Sequence, residues 1–168
     1  MKAEIAYFHC GDQLRKTLAV EIGEVQSLVA TLDWAKSFQY SDSSTVCEHQ
    51  TAYNKALARN FRGLGWETFP VLRRDPKLIG DFRKGMVFVE IQFGNSATLY
   101  RDFYKFQYGL RNGLLSLAVL IVPMKAAAFF PTRLESVRNM AEFALARSYF
   151  TVLAINVPTM LIVLQPTD

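Results

Sequence analysis

The stretch Gly80-Asp81-Phe82-Arg83-Lys84-Gly85-Met86-Val87-Phe88-Val89-Glu90-Ile91-Gln92-Phe93 decides how this chain folds. Two apolar-rich runs flank a basic turn closed by glycine, the pattern of a β-hairpin spanning residues 78–93. With Lys84 and Gly85 as the turn, Asp81 faces Phe88, and Glu90 lies two residues further along the same face. Side chains alternate along a strand, so Glu90 and Gln92 share that face while Val89 and Ile91 point into the core. Diagonal neighbours across such a pair lie roughly 7–8 Å apart at Cα, closer at the side chains. Two carboxylates at that separation can share a hard divalent cation. The alternative is a solvent-facing acid pair on an exposed hairpin.

Working outward, residues 12–35 have helical periodicity, with Leu14, Leu18, Ile22, Val25, Leu28 and Val29 on one side. Residues 39–48 are polar and serine-rich, a predicted loop. Residues 50–62 form a second amphipathic helix ended by Gly63 and Gly65, and residues 67–72 a strand. After the hairpin, Asn95 or Ser96 caps a helix running to Gly109 with Leu99, Phe103 and Phe106 inward. A strand over 115–122, a helix from Thr132 to about Arg147, and strands over 151–156 and 160–164 complete the order. The expectation is one α/β domain over residues 1–168, a mixed β-sheet flanked by helices on both faces.

Composition fits that class. A hydrophobic fraction of 51%, with 13 phenylalanines and 7 tyrosines, suits a packed core and not a disordered chain. The apolar runs 114–124 and 150–164 are too short for a bilayer and are interrupted by Pro123 or Pro158, so no membrane span is expected. The first residues carry Lys2, Glu4 and Asp12 and no long apolar run, unlike a secretory signal, and a cytoplasmic location is expected. His9-Cys10 and Cys47-Glu48-His49 are poorly spaced for zinc, and free thiols are expected. Net charge is only +4, but residues 55–84 hold eight basic residues against three acidic ones. Positive charge therefore gathers beside the hairpin, where a polyanion such as double-stranded DNA would be drawn. A solvated basic face is the plainer reading of charge density alone.

The spacing Asp81-x8-Glu90-x-Gln92 resembles the metal-dependent nuclease signature PD-(D/E)xK, with glutamine in the last position. The chain further resembles the BglII-type restriction endonucleases. The likeness runs through Asp81-Phe82, Val89-Glu90-Ile91-Gln92-Phe93, Gly94-Asn95 and the aromatic run Tyr100-x3-Tyr104-Lys105-Phe106. It continues through Ala118-Val119-Leu120-Ile121-Val122 and Phe130-Pro131, covers about residues 54–144, and includes Trp66 ahead of the hairpin. Glutamine in place of lysine is characteristic of that branch. The chain resembles the core of such enzymes without the β-rich wrapping segment of larger members.

The resemblance implies a restriction-endonuclease-like fold and Mg2+-dependent hydrolysis of double-stranded DNA by a homodimer on a palindromic site with a GATC-like core. It implies Asp81, Glu90 and the Ile91 carbonyl as metal ligands, and Gln92 as a hydrogen-bonding group that orients water or phosphate. Lys84 and Lys105 could supply the positive charge that Gln92 lacks; the alternative is that both are solvated, as lysines on turns and helices usually are. Asn95 and Ser96, at the mouth of the site, and Arg133 and Glu135, in the loop after Pro131, are the expected DNA-contacting residues together with Lys84. Asn95 is equally a helix cap. The alternatives are a DNA-binding module that has lost cleavage, or a structure-selective nuclease of the same fold.

Overall fold

A computed structural model describes residues 1–42, 45–133 and 136–167. In chain order the elements are β1 (Lys2–Phe8), α1 (Asp12–Thr17), α2 (Ala19–Ala30), β2 (Gln39–Asp42), β3 (Thr45–Glu48), α3 (His49–Gly63), β4 (Glu67–Thr68), β5 (Val71–Arg73) and β6 (Leu78–Ile79). They continue with β7 (Phe82–Lys84), β8 (Val87–Ile91), a 3-10 turn (Ser96–Thr98), α4 (Leu99–Arg111), β9 (Leu117–Pro123), α5 (Ala126–Phe129), a second 3-10 turn (Ser136–Asn139), α6 (Phe143–Val152) and β10 (Thr159–Gln165). Six strands form one mixed sheet in the order β1-β10-β9-β8-β7-β4. β8, β9 and β10 run parallel, and β1, β7 and β4 run antiparallel to their neighbours. The mixed sheet between helices agrees with the expectation.

Both faces of the sheet are covered, which explains the unbroken apolar runs in its central strands. Every residue of β9 is buried. Its odd positions, Leu117, Val119 and Ile121, pack in a core that includes Ile22, Val25 and Val29 of α2 and Tyr53, Leu57 and Phe61 of α3. Its even positions, Ala118, Leu120 and Val122, pack in a second core with Leu99, Phe103 and Phe106 of α4 and Phe150 of α6. Each fully buried side chain of this size contributes about 1.5–3 kcal/mol of transfer free energy. Two ring contacts fix the hairpin between these layers. Phe61 stacks on Phe82 at 4.3 Å, and Phe106 meets Phe88 edge-on at 6.2 Å.

The hairpin register differs from the expectation by two residues. The pairs are Phe82↔Val89, Arg83↔Phe88 and Lys84↔Val87, so Gly85-Met86 is the turn and Arg83, not Asp81, faces Phe88. Gly85 has φ +53, the left-handed backbone that a two-residue hairpin turn demands at its first position. A slip of two preserves faces, so Phe88 and Glu90 remain on one side. It also brings Asp81 beside Glu90, one residue beyond the last ladder pair.

Other differences have physical causes. The predicted helix over 12–35 breaks at Leu18 and ends at Ala30. The predicted loop over 39–48 is the antiparallel hairpin β2–β3, hidden by its polar composition. The predicted helix from Thr132 to Arg147 is interrupted because residues 140–141 are drawn into extended contact with the strand exit of β8. Asn95 bridges Met140, and Ala141 N–H donates to the Gly94 carbonyl at 2.8 Å. Residues 151–156 are not a strand, since α6 extends to Val152. β1 was not anticipated, because an edge strand with Lys2, Glu4 and a part-exposed Ile5 has little apolar contrast. Among the described residues no helix is long and apolar enough to cross a membrane.

Gly80 is required by close approach. A Cβ there would lie 2.0 Å from Phe88 Cζ and 3.1 Å from Glu90 Oε1. Gly80→Ala should therefore lower stability by about 1–3 kcal/mol, the cost of overpacking a fixed ring. Urea unfolding of the variant would check this, and an unchanged midpoint would mean that the Phe88 ring is free to move.

Candidate active site

Asp81 and Glu90 are brought together by the sheet and by one hydrogen bond. Ile91 N–H donates to Asp81 Oδ2 at 2.7 Å, tying the residue before β7 to the end of β8. Ile91 thereby sits between the acid pair and Gln92, whose own N–H donates to the Ile121 carbonyl at 2.9 Å. Glu90 is not solvent-facing: it is 3% exposed, on the sheet face covered by α4. Phe88, two residues earlier, belongs to the core on that same face.

α4 supplies what a buried carboxylate needs. Lys105 Nζ lies 2.9 Å from Glu90 Oε2 and 3.0 Å from Asp102 Oδ1, and both Asp102 and Lys105 are buried. Asp102 Oδ2 accepts from Gln92 Nε2 at 2.6 Å, and Gln92 Oε1 accepts from Gly94 N–H at 3.0 Å. A continuous chain thus runs from the Gly94 backbone through Gln92, Asp102 and Lys105 to Glu90. Gln92 is built into this chain rather than lying on the surface.

The electrostatics follow from burial. Desolvation pushes the Glu90 carboxyl well above its ordinary range, and the negative charges of Asp81 and Asp102 push further, against the pull of Lys105. Desolvation also raises Asp81, offset by the Ile91 N–H and the Lys105 charge. Burial alone would lower Lys105, but Glu90 and Asp102 outweigh it and hold the ammonium charged. Three carboxylates face one ammonium.

The pair fits a hard divalent cation. Glu90 Oε1 is buried without a hydrogen-bond partner among the described residues, an unpaid desolvation that a cation would relieve. The excess of two formal negative charges matches a divalent ion. No cluster of three or more His, Cys, Asp or Glu side chains suited to a metal occurs among the described residues. Mg2+ takes one or two carboxylates and fills the rest of its sphere with water and phosphate oxygens.

The remaining expected residues lie apart from this cluster. Lys84 Nζ is held by Glu24 at 2.7 Å and by the Leu64 carbonyl at 3.0 Å, and Trp66 Nε1 donates to the same Glu24 at 2.8 Å. Asn95 is exposed, and its Oδ1 accepts from Ala97 N–H at 2.9 Å as a cap on the 3-10 turn that Ser96 begins. Arg133, half-buried, donates to Gln50 Oε1, and Thr132 Oγ1 meets His49 Nδ1 at 2.8 Å, so the loop after Pro131 docks on the start of α3. Glu135 lies outside the described residues. Cys10 is a free, half-buried thiol.

Asp102 escaped the sequence analysis, though a signal existed. Leu99, Asp102, Phe103 and Phe106 form an i, i+3, i+4, i+7 set, so an acid occupies a core position of an amphipathic helix. Such a charge is seldom buried unless paired.

A pH prediction follows with its sign. A carboxyl raised in the folded state stabilises the fold while protonated. That contribution is complete below the ordinary carboxylate range and is lost as pH rises through the folded value. Metal-free protein should therefore lose stability as pH is raised above the ordinary carboxylate range. A cation bound at Glu90 would compete with a proton there, so apparent Mg2+ affinity should rise with pH across the Glu90 titration. Calorimetric titration across pH would measure it, and a flat profile would exclude Glu90 as a ligand.

The model of the restriction endonuclease BglII/BglIII family matches residues 3–164. The crystal structure of restriction endonuclease BglII complexed with a DNA 16-mer superposes with a TM-score of 0.74 at 15% identity, covering 100% of this chain and 78% of that one. The crystal structure of free BglII gives 0.66 at 18% identity, covering 99% and 81%. These likenesses establish a shared fold. No curated protein sequence matches the chain. With the family model spanning nearly its whole length, the chain belongs to the BglII/BglIII family of restriction endonucleases, type II site-specific deoxyribonucleases.

Proposed function

We propose that this chain is a cytoplasmic Mg2+-dependent endonuclease that cuts both strands of a palindromic double-stranded DNA site as a homodimer. The observation that carries the reading is the pairing of half-buried Asp81 with buried Glu90, one of whose carboxylate oxygens is orphaned. Asp81, Glu90 and the Ile91 carbonyl would hold the cation. Bound there, it would lower the pKa of an attacking water and offset charge on the phosphorane-like transition state. Gln92 has two amide hydrogens, of which one goes to Asp102. The other would orient the water or a phosphate oxygen. The products are 5′-phosphate and 3′-hydroxyl ends. Asn95, Ser96, Arg133 and Glu135 would contact bases or backbone around a GATC-like core, whereas Lys84 is engaged by Glu24 on the other face of the sheet. Asn95 could do so through its amide nitrogen while its oxygen caps the 3-10 turn.

Asp81→Asn and Glu90→Gln should each reduce plasmid cleavage in Mg2+ by at least ~10²-fold, with DNA binding retained. Full activity in either would remove that residue from the mechanism. Discrete bands from methylation-free plasmid would identify a restriction enzyme. Nicking of branched substrates would favour the structure-selective alternative, and binding without cleavage the inactive module.

The homodimer is supported by an apolar face where α4 meets the end of α6. Tyr100, Tyr104, Val152 and Leu153 are 55%, 51%, 80% and 41% exposed, and Tyr100 packs on Tyr149 at 5.0 Å. Exposed apolar residues grouped in this way favour a second copy related by two-fold symmetry. Sedimentation should give twice the 19.1 kDa of one chain, and Tyr104→Glu should shift it to the monomer. A wild-type monomer that only nicks would defeat the dimer.

A further inference from the structure

Between α3 and the catalytic hairpin opens a cleft of about 260 Å³. Asn54, Lys55 and Ala58 line it from α3, and Phe69, Asp81, Phe82 and Ile91 line it from the other side. Asp81 and Ile91, two of the proposed cation ligands, thus form part of its wall. More of that wall is apolar than polar. Phe82 is buried and stacks on Phe61, so its part of the wall is fixed.

Phe69 stands at the rim of this cleft, 62% exposed, and among the described residues its ring stacks on no other. Its backbone has φ +56, the left-handed region, where a bulky side chain is an outlier. Pro70 follows it, and a residue before proline favours extended backbone instead. Two hydrogen bonds hold the segment in place. Phe69 N–H donates to the Asp81 carbonyl at 2.9 Å, and Gly80 N–H donates to the Pro70 carbonyl at 3.0 Å. Phe69 is therefore tied to the backbone of Asp81 itself. Glycine or asparagine would suit this backbone better. A ring both strained and exposed in the free protein, fixed beside a candidate catalytic acid, suits a contact made only with DNA bound.

A phosphodiester cleaved at Asp81 is joined through its ester oxygens to two deoxyriboses, so covalent structure alone brings a sugar ring close to Asp81. The C–H faces of that sugar match a mostly apolar wall and the electron-rich face of an aromatic ring. A phosphate would lose hydration against the Phe69 ring without compensation. We propose that the cleft receives the deoxyribose of one nucleotide flanking the scissile bond, and that Phe69 packs its ring against that sugar and so places the strand relative to Asp81. The inference rests on the nuclease reading of the same site. A 2′-hydroxyl on that sugar would be pressed against the ring and lose its water without gaining a partner.

The test compares kcat/KM in Mg2+ for wild type, Phe69→Gly and Phe69→Asn on a duplex carrying a cut site mapped on plasmid. The same duplex is also made with a single ribonucleotide on either side of the scissile bond. Phe69→Gly should lower kcat/KM on the all-DNA duplex about tenfold, the loss of one apolar contact. It should nevertheless melt at or above the wild-type temperature, because glycine relieves the backbone strain. At one of the two positions the ribonucleotide should slow wild type about tenfold and leave Phe69→Gly nearly unaffected. Phe69→Asn, which also tolerates left-handed backbone, decides if the glycine variant fails to fold. A wild-type rate in these variants, or equal ribonucleotide penalties in wild type and variant at both positions, overturns the inference while leaving the nuclease reading intact. So does a Phe69→Gly protein that sediments at half the wild-type mass, which would make the ring a contact between copies. A wild-type protein that cuts no DNA in Mg2+ overturns the nuclease reading, and the inference with it.

Discussion

The structure depends on one costly act, the burial of Glu90 against a sheet face that is otherwise hydrocarbon. An isolated carboxylate in that position would lose several kcal/mol of hydration. Lys105 answers it from α4, Asp102 fixes Lys105, and Gln92 fixes Asp102 from the residue just past the strand that holds Glu90. The arrangement closes on itself: strand to helix and back to strand. It still leaves one Glu90 oxygen unsatisfied and two formal negative charges unbalanced. That residue of unmet demand is what the proposed divalent cation would meet.

The scaffold around it is rigid where the chemistry requires rigidity. β8 lies inside the sheet between β9 and β7, and Glu90 is fixed by its pairing with Leu120 of β9, one residue beyond the last β7 pair. Gly80 allows the preceding turn to press on Phe88 and Glu90, where any side chain would collide. The Asp81–Ile91 hydrogen bond then completes the acid pair by tying the two arms of the hairpin together beyond their regular pairing. On the opposite face, Lys84, Glu24 and Trp66 join the hairpin to the helical layer and give α2 and β7 a shared polar anchor. Functional and architectural charges are thus separated by the sheet itself.

Much of this was legible because it is local. The alternation Val87-Phe88-Val89-Glu90-Ile91 puts Glu90 and Ile91 on opposite faces in any register, and Asp81 stays on the Glu90 side under a two-residue slip. α3 and β9 announced themselves by periodicity and by a continuous apolar run. Elements whose form is dictated by distant partners were not legible. β1 is a strand because β10 offers an edge, and residues 140–141 leave the helical pattern because Gly94 and Asn95 capture them.

The sequence by itself determined the hairpin, the shared face of its two acids and the division of apolar residues between two cores, since these follow from side-chain periods of 2 and 3.6 and from turn chemistry. Only the tertiary structure decided which charge balances Glu90. Lys84 is the nearer lysine in sequence, yet the strand period carries it to the other face, where Glu24 takes it. Lys105 is fifteen residues away and separated by a turn, yet docking α4 over β8 brings it to 2.9 Å. Coulombic and desolvation energies depend on distance through space and on exposure, and neither is encoded in spacing along the chain.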